Sequence, residues 1–369
     1  MRSFYIQSED INSLENHLAQ LDIEDETKSI LFLMADEDQF SEDQLNPILR
    51  RIKKNLIGGI FPELIFNGRS KKTGVLLLTL PFELRTQVFD LSGNSDEFFS
   101  QLEKAQHNSM NSLSSLFVFV DAMSQNKENF MQALFNFFGM NTSYIGGGAG
   151  SLRLESVPCI INNQGIYANS AVIGWGNKPI SLGVAHGWYS FSGVLKITET
   201  LGNIVKSINW RPAFEVYKEI VDVHSGMSLT SDNFSELAKS YPLGIEKLDA
   251  EMIVRDPFKL CPQGLHFIDA IHEGEYVKVL HGDIESLIEG ASKAQVLALS
   301  KSNENMDQDS LFCIDCISRV LFMKEFYRKE LETVAADKHV SGVLTIGEIA
   351  NEGDSFLEIY NKTIVLGVW

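Results

Sequence analysis

Residues 114–123 read SSLFVFVDAM, with five consecutive apolar residues, Leu116–Val120, rich in aromatic and β-branched types. The run does not alternate and is too short for a helix. It is the signature of a strand covered on both faces. Working outward, NKENFMQALFNFFG (126–139) has a helical spacing that stops at Gly139, a suitable residue just past a helix end. SYIGGGAGS (143–151) comes after it, and then PCIINNQG and IYANSAVIGWG, which pair as a hairpin in our reading.

The same order recurs on both sides. Upstream, SILFLMAD (29–36) is the covered strand. Ser41 is the N-cap of a helix with Glu42 and Asp43 in its first turn, which Pro47 shortens or kinks. IGGIFPELIFNG and KTGVLLLTLPF then give two strands. Downstream, DSLFCIDCISR (309–319) is the strand, VLFMKEFYRKELETVAAD the helix, and SGVLTIGEIANEGDSFLEIYNKTIVLGVW a last pair of strands. We read three copies of one unit: strand, helix, glycine turn, strand pair. Their leading serines are Ser29, Ser115 and Ser310, and Asp36, Asp121 and Asp315 close the opening strands. The glycine turns fall at Gly58–Gly59, Gly146–Gly150 and Gly347. The spacing is irregular, which excludes a solenoid.

The predicted fold is α+β, with α/β-like composition. It has mixed, largely antiparallel sheets from repeated strand–helix–strand–strand units, helices outside, and two halves. Between the second and third units, residues 194–220 predict strand, turn at Leu201-Gly202-Asn203, strand, and a helix from about Pro212. The polar stretch HSGMSLTSDN (224–233) is the expected boundary. The expected segments are an N-terminal extension over 1–28, a first domain over 29–222 and a second over 223–369.

The chain has 369 residues, 44% of them hydrophobic, enough for a large core. Its net charge of −18 argues against nucleic acid and anionic membrane surfaces as partners. Four cysteines do not make a disulfide framework, the N-terminus lacks an apolar signal core, and no apolar run spans a bilayer. A cytoplasmic setting with reduced thiols is expected.

The glycine cluster does not read as a phosphate loop. No Lys comes directly after it, and the next residues, RLESVPCII, read as loop then strand rather than as a helix start. Two readings stay open: a tight crossing of backbones, or a bare surface, Gly146, Gly147 and Gly148, on which a small ligand lies.

IGGGAG, HGW (186–188) and KITETLGNIVKSINWRPAFEVYKEIV resemble the N-terminal half of the FIST sensory domain family. KSYPLGI, MIVRDP, HEGEYVKVLHGD, LFCIDCISR and GVLTIGEIANEGDSFLEIYNKTIVLG resemble its C-terminal half. The resemblance runs from Ser29 to Gly367. It implies ligand sensing, with amino acids the proposed ligands. The signal would pass to a histidine kinase, a cyclic-dinucleotide enzyme or a chemotaxis protein. A subset of the family is similar to haem proteins that sense nitric oxide. No output domain is recognised beside it, so a separate partner would have to read it.

Several residues could carry chemistry. Arg255 and Arg319 stand in apolar contexts and could form ion pairs or offer a guanidinium fork to a ligand carboxylate. Glu348 suits a ligand ammonium, and Asn361 supplies amide hydrogen bonds. The resemblance aligns Cys316 and Arg319 with a cysteine and an arginine of the family, turned towards a pocket. Cys313 and Cys316 form a C-x-x-C, but in a strand they face opposite ways, which argues against chelation or a redox pair. His186, beside Gly187, is the candidate haem ligand. A hydrolase or transferase using Cys316 or Ser318 as nucleophile is the remaining alternative.

Overall fold

The computed structural model describes residues 1–7, 10–37, 40–106, 114–247, 251–351 and 356–369. The C-terminal stretch SGVLTIGEIANEGDSFLEIYNKTIVLGVW includes residues 352–355, which lie outside the described residues.

The three units are present. Each opens with a strand fully buried on both faces, crosses over through helix, and returns as a parallel neighbour. The pairs are Ser29–Ala35 with Asn55–Phe61, Ser115–Asp121 with Ser143–Ala149, and Ser310–Cys316 with His339–Thr345. The leading serines are equivalent, facing Asn55, Ser143 and His339 at the first register position. The aspartates are not: counted from Phe32, Val118 and Cys313, which pair with glycines, Asp36, Asp121 and Asp315 lie four, three and two residues on.

The glycines that matter are Gly58, Gly146 and Gly342, opposite those three residues. At each, an added Cβ would fall on the carbonyl oxygen of the paired residue. Gly146–Gly148 is therefore no loop. Ser143–Ala149 is a buried strand, and Gly148 exchanges backbone hydrogen bonds of 2.8 and 3.0 Å with Gly347 and Ile346. The glycines let two units touch backbone to backbone. The third-unit equivalent is Gly342, not Gly347.

An antiparallel strand flanks each pair on one side: Val75–Leu80, Ser170–Gly176 and Ile364–Val368. On the other side sits a hairpin borrowed from another unit. The hairpin after Asn55–Phe61, formed by Glu63–Phe66 and Arg69–Lys71, joins the third sheet. The hairpin Ile160–Asn162 with Gly165–Tyr167 joins the first. The hairpin Glu348–Ala350 with Glu358–Tyr360 joins the second. The exchange is cyclic, so the three mixed sheets lock one another. IGGIFPELIFNG is accordingly not one strand: it breaks at Pro62, which cannot donate to a ladder, and its halves enter different sheets. IYANSAVIGWG breaks in the same way.

The double burial follows from alternation. Leu31 and Leu33, Phe117 and Phe119, and Phe312 and Ile314 point into one shared core. There Trp369 packs 5.6 Å from both Phe117 and Phe312. The intervening residues face each unit's own helices. Ile30, Phe32 and Met34 meet Leu45 and Leu49, while Val118 and Val120 meet Phe130 and Leu134. Leu311 and Cys313 meet Ala291 and Leu331. Each such side chain contributes about 1.5–3 kcal/mol on burial.

The strand and helix of the expected N-terminal extension belong to the first sheet's unit. Ser3–Ile6 pairs with Val75–Leu80, and helix Ile11–Ile23 buries Leu14, Leu18 and Leu21 beneath it. A fourth, antiparallel sheet has Leu195–Leu201 and Tyr276–His281 as neighbours in its middle and Ile253–Arg255 and Pro257–Cys261 at the ends of its strand order, and is backed by helix Ala213–Ser225, which begins after Pro212 as expected. Residue 222 lies within that helix. The helix expected over 320–337 is interrupted at Lys324, whose φ is 52°, between Ile317–Met323 and Tyr327–Ala335.

Candidate functional site

The carboxyl ends of the third parallel pair open onto a cleft of about 170 Å³. Open α/β sheets leave their crevices at this end. Cys316 is the last residue of one strand, and Ile346 and Gly347 come directly after the other. Asn361 comes from the corner before Ile364–Val368, and Leu152 and Leu154 from the loop after the glycine strand. Asp256 and Phe258 come from the fourth sheet, Ser318 and Leu321 from the helix after Cys316. The cleft thus joins the second unit, the third unit and the fourth sheet.

Its walls are mainly apolar and its polar groups few. The Cys316 thiol lies 3.0 Å from Ser318 Oγ. Burial pushes that thiol well above its ordinary pKa, helped by the nearby Glu348 carboxyl, so it stays protonated. A cysteine nucleophile needs the thiolate. Cys313 faces the helices instead, as alternation predicted, and is also pushed up by burial.

Glu348 is fully buried behind Cys316 and does not reach the cleft wall. Its Oε1 accepts from Thr345 Oγ1 at 2.9 Å and its Oε2 from the Thr363 amide at 3.2 Å. Burial pushes its pKa up to about 8, which makes it a neutral acid at pH 7 rather than a carboxylate for a ligand ammonium.

Asn361 is 2% exposed. Its Nδ2 donates to Asp269 Oδ2 at 2.5 Å and to the Tyr360 carbonyl at 3.0 Å. Its Oδ1 has no hydrogen-bond partner among the described residues, and the residue lines the cleft. Asp269 is itself fixed by Lys127, 2.7 Å away, whose ammonium also donates to the Ala122 carbonyl. Burial pushes the Asp269 carboxyl up, but Lys127 and Arg255 outweigh this and hold it low. Sequence reasoning missed this chain of groups. Its one signal was an acid, Asp269, between apolar Ile268 and Ala270.

Arg319 does not offer a free fork. It is fully buried. Nε donates to Glu330 Oε1 at 3.2 Å and Nη1 to the His186 and Lys362 carbonyls at 2.6 and 3.2 Å. Nη2 donates to the Leu287 carbonyl at 3.0 Å and to Glu330 Oε2. Asp315 stands 3.2 Å away. Burial and the neighbouring Glu330 push the Asp315 carboxyl far above its ordinary value, and Arg319, Glu330 and Asp315 form one buried cluster. The residue turned inward because a helix, not more strand, comes after Cys316.

Arg255 is apart from this cleft and lines another. Among the described residues, no Lys or Arg lines the Cys316–Asn361 cleft. Lys362 lies behind it, 3.2 Å from Asp256 Oδ2 and donating to the Lys239 carbonyl at 3.1 Å. The polar residues of the cleft wall are Asp256, already paired with Lys362, the Ser318 hydroxyl, the Cys316 thiol and Asn361, whose Oδ1 is itself buried.

The residues present do not fit a haem on His186. It is 2% exposed and lines neither cleft described here. Its Nδ1 accepts from the Trp188 amide at 2.8 Å, and its Nε2 points at Glu251, 3.6 Å away. Burial lowers its pKa to about 4.

A family model for the FIST N domain matches residues 28–211, and one for the FIST C domain matches residues 213–351. The chain belongs to the FIST family. FIST domains are sensory domains of signal transduction. No curated protein matches the chain. The two FIST models meet at Pro212, where helix Ala213–Ser225 begins, although the sheets on either side share strands across that point. No helix among the described residues is long and apolar enough to cross a membrane.

Proposed function

We propose that this FIST protein is a non-enzymatic cytoplasmic sensor that takes a small molecule into the Cys316–Asn361 cleft. The ligand has an apolar body and a hydrogen-bond donor, an ammonium or amide, that meets Asn361 Oδ1 and Asp256. An amino acid would enter ammonium first. The carrying observation is Asn361 in the wall of a mainly apolar cleft, with its Oδ1 buried and without a hydrogen-bond partner among the described residues, so that a small side-chain shift would present it to a ligand. An orphaned buried acceptor costs about 1–3 kcal/mol, and a donor-bearing ligand would recover it. A volume of about 170 Å³ corresponds to roughly six waters' worth of liquid, which suits a molecule of amino-acid size. Occupancy would be read by a separate partner, such as a histidine kinase, a cyclic-dinucleotide enzyme or a chemotaxis protein.

The test is a thermal-shift and calorimetric screen of amino acids and of the amines that lack their carboxylate. Hits should include amines, and Leu152→Trp, which fills the cleft from an exposed loop, should abolish them without lowering the melting temperature of the free protein. Hits that survive Leu152→Trp would move the site elsewhere.

A further inference from the structure

A second cleft, of about 390 Å³, lies between helix Lys127–Phe138, the strands Leu243–Ile245 and Ile253–Arg255, and the hairpin strand Glu358–Tyr360. Its size falls within the usual range for small-molecule sites. Arg255 stands in it and is only 7% exposed. Nε donates to the Ala270 carbonyl at 3.1 Å, and Nη1 to the Ile359 and Val254 carbonyls at 2.9 and 3.3 Å. These bonds fix the guanidinium through Nε and Nη1. Nη2 makes no hydrogen bond among the described residues. Asp269 feels the Arg255 charge but is already held by Lys127 and Asn361.

The other charges at this cleft are already engaged. Lys247 pairs with Glu358 at 2.9 Å. Glu128 accepts from the Ala270 amide at 3.1 Å, and Glu275 from the His272 amide at 2.9 Å. Beside Gln132 and His272, the rest of the wall is apolar and includes Met131, Ile245, Ile253 and Ile359, with Phe135 and Phe356 in ring contact at 5.0 Å. A nine-tenths-buried cation with an unused, pre-oriented donor is a costly arrangement unless something acidic visits it. The acid must also cover two phenylalanines.

We propose that the Arg255 cleft is a second binding site, selective for a small carboxylate with an apolar or aromatic body. Arg255 Nη2 receives the carboxylate, and the Phe135–Phe356 pair packs on the body. Nothing in this assignment depends on the Cys316–Asn361 cleft being occupied.

The test uses phenylacetate and its neutral isostere phenylacetamide as probes, with calorimetry on the full chain. Phenylacetate should bind at least tenfold more tightly than the amide. Arg255→Lys keeps the charge beside Asp269 but loses the Nη2 donor, and should remove that preference. Gln132→Trp projects from an exposed position on the helix wall, fills the cleft without touching the core, and should abolish binding of both probes. Leu152→Trp, which closes the other cleft, should leave binding unchanged. Equal affinity for acid and amide, binding that survives Gln132→Trp, or no phenylacetate binding at 10 mM (on the order of the weakest fragment affinities) would overturn the assignment.

Discussion

Asn361 Nδ2 sits 2.5 Å from Asp269 Oδ2, and Asp269 sits 2.7 Å from Lys127. One amide end is thereby tied to a buried ion pair while the other, Oδ1, is buried without a hydrogen-bond partner among the described residues, in a residue that lines the cleft. The orientation of the candidate ligand group is set by a lysine on a helix of a different unit.

That ion pair should behave as a buried one. Lys127→Met leaves Asp269 unpaired and should destabilise the fold by about 3–5 kcal/mol, whereas the double change Lys127→Met with Asp269→Asn should recover much of the loss. Urea denaturation of the two single variants and the double variant measures it. Additive losses would mean that the two groups do not interact.

Arg319 should prove structural. Arg319→Ala leaves Glu330 and Asp315 facing each other in the interior and should cost about 3 kcal/mol or more, with loss of soluble yield. A stable Arg319→Ala protein that had lost only ligand binding would restore the fork reading.

The glycine ladder makes a comparative prediction. Gly146→Ala and Gly342→Ala put a methyl on the Val118 and Cys313 carbonyl oxygens and should each unfold the protein or cost several kcal/mol. Gly193→Ala meets nothing within 4 Å and should be close to neutral. Melting temperatures of the three variants decide the point.

Stability should fall on both sides of mild acidity. Glu348 titrates near pH 8 when folded against 4.5 unfolded, so its contribution is full below pH 4.5 and is lost as the pH rises to 8. His186 titrates near 4 when folded against 6.5 unfolded, so its contribution is full above pH 6.5 and is lost as the pH falls to 4. Each limb amounts to a few kcal/mol. In melting curves from pH 4 to 9, Glu348→Gln should flatten the alkaline limb and His186→Gln the acid one. An unchanged alkaline limb in Glu348→Gln would mean that Glu348 is ionised in the fold.

The three buried strands were legible in the residues, because a run such as LFVFV satisfies only a position covered on both faces. So were the helix limits at Ser41, Gly139 and Pro212, through capping chemistry, and the family. The roles of the polar residues came only with the assembled fold. Gly146–Gly148 was legible as a place of close approach, but whether it met ligand or backbone depended on which unit lay against it. Arg319, Glu348 and Asn361 were legible as polar groups in apolar surroundings. Their distant partners lie 15 (Glu348 to Thr363), 92 (Asn361 to Asp269) and 133 (Arg319 to His186) residues away in the chain, and local spacing carries no information about contacts at that range. The hairpin exchange was hidden for the same reason. A hairpin's own sequence specifies its turn and its alternation, while the sheet it completes is chosen by the packing of three units around one shared core.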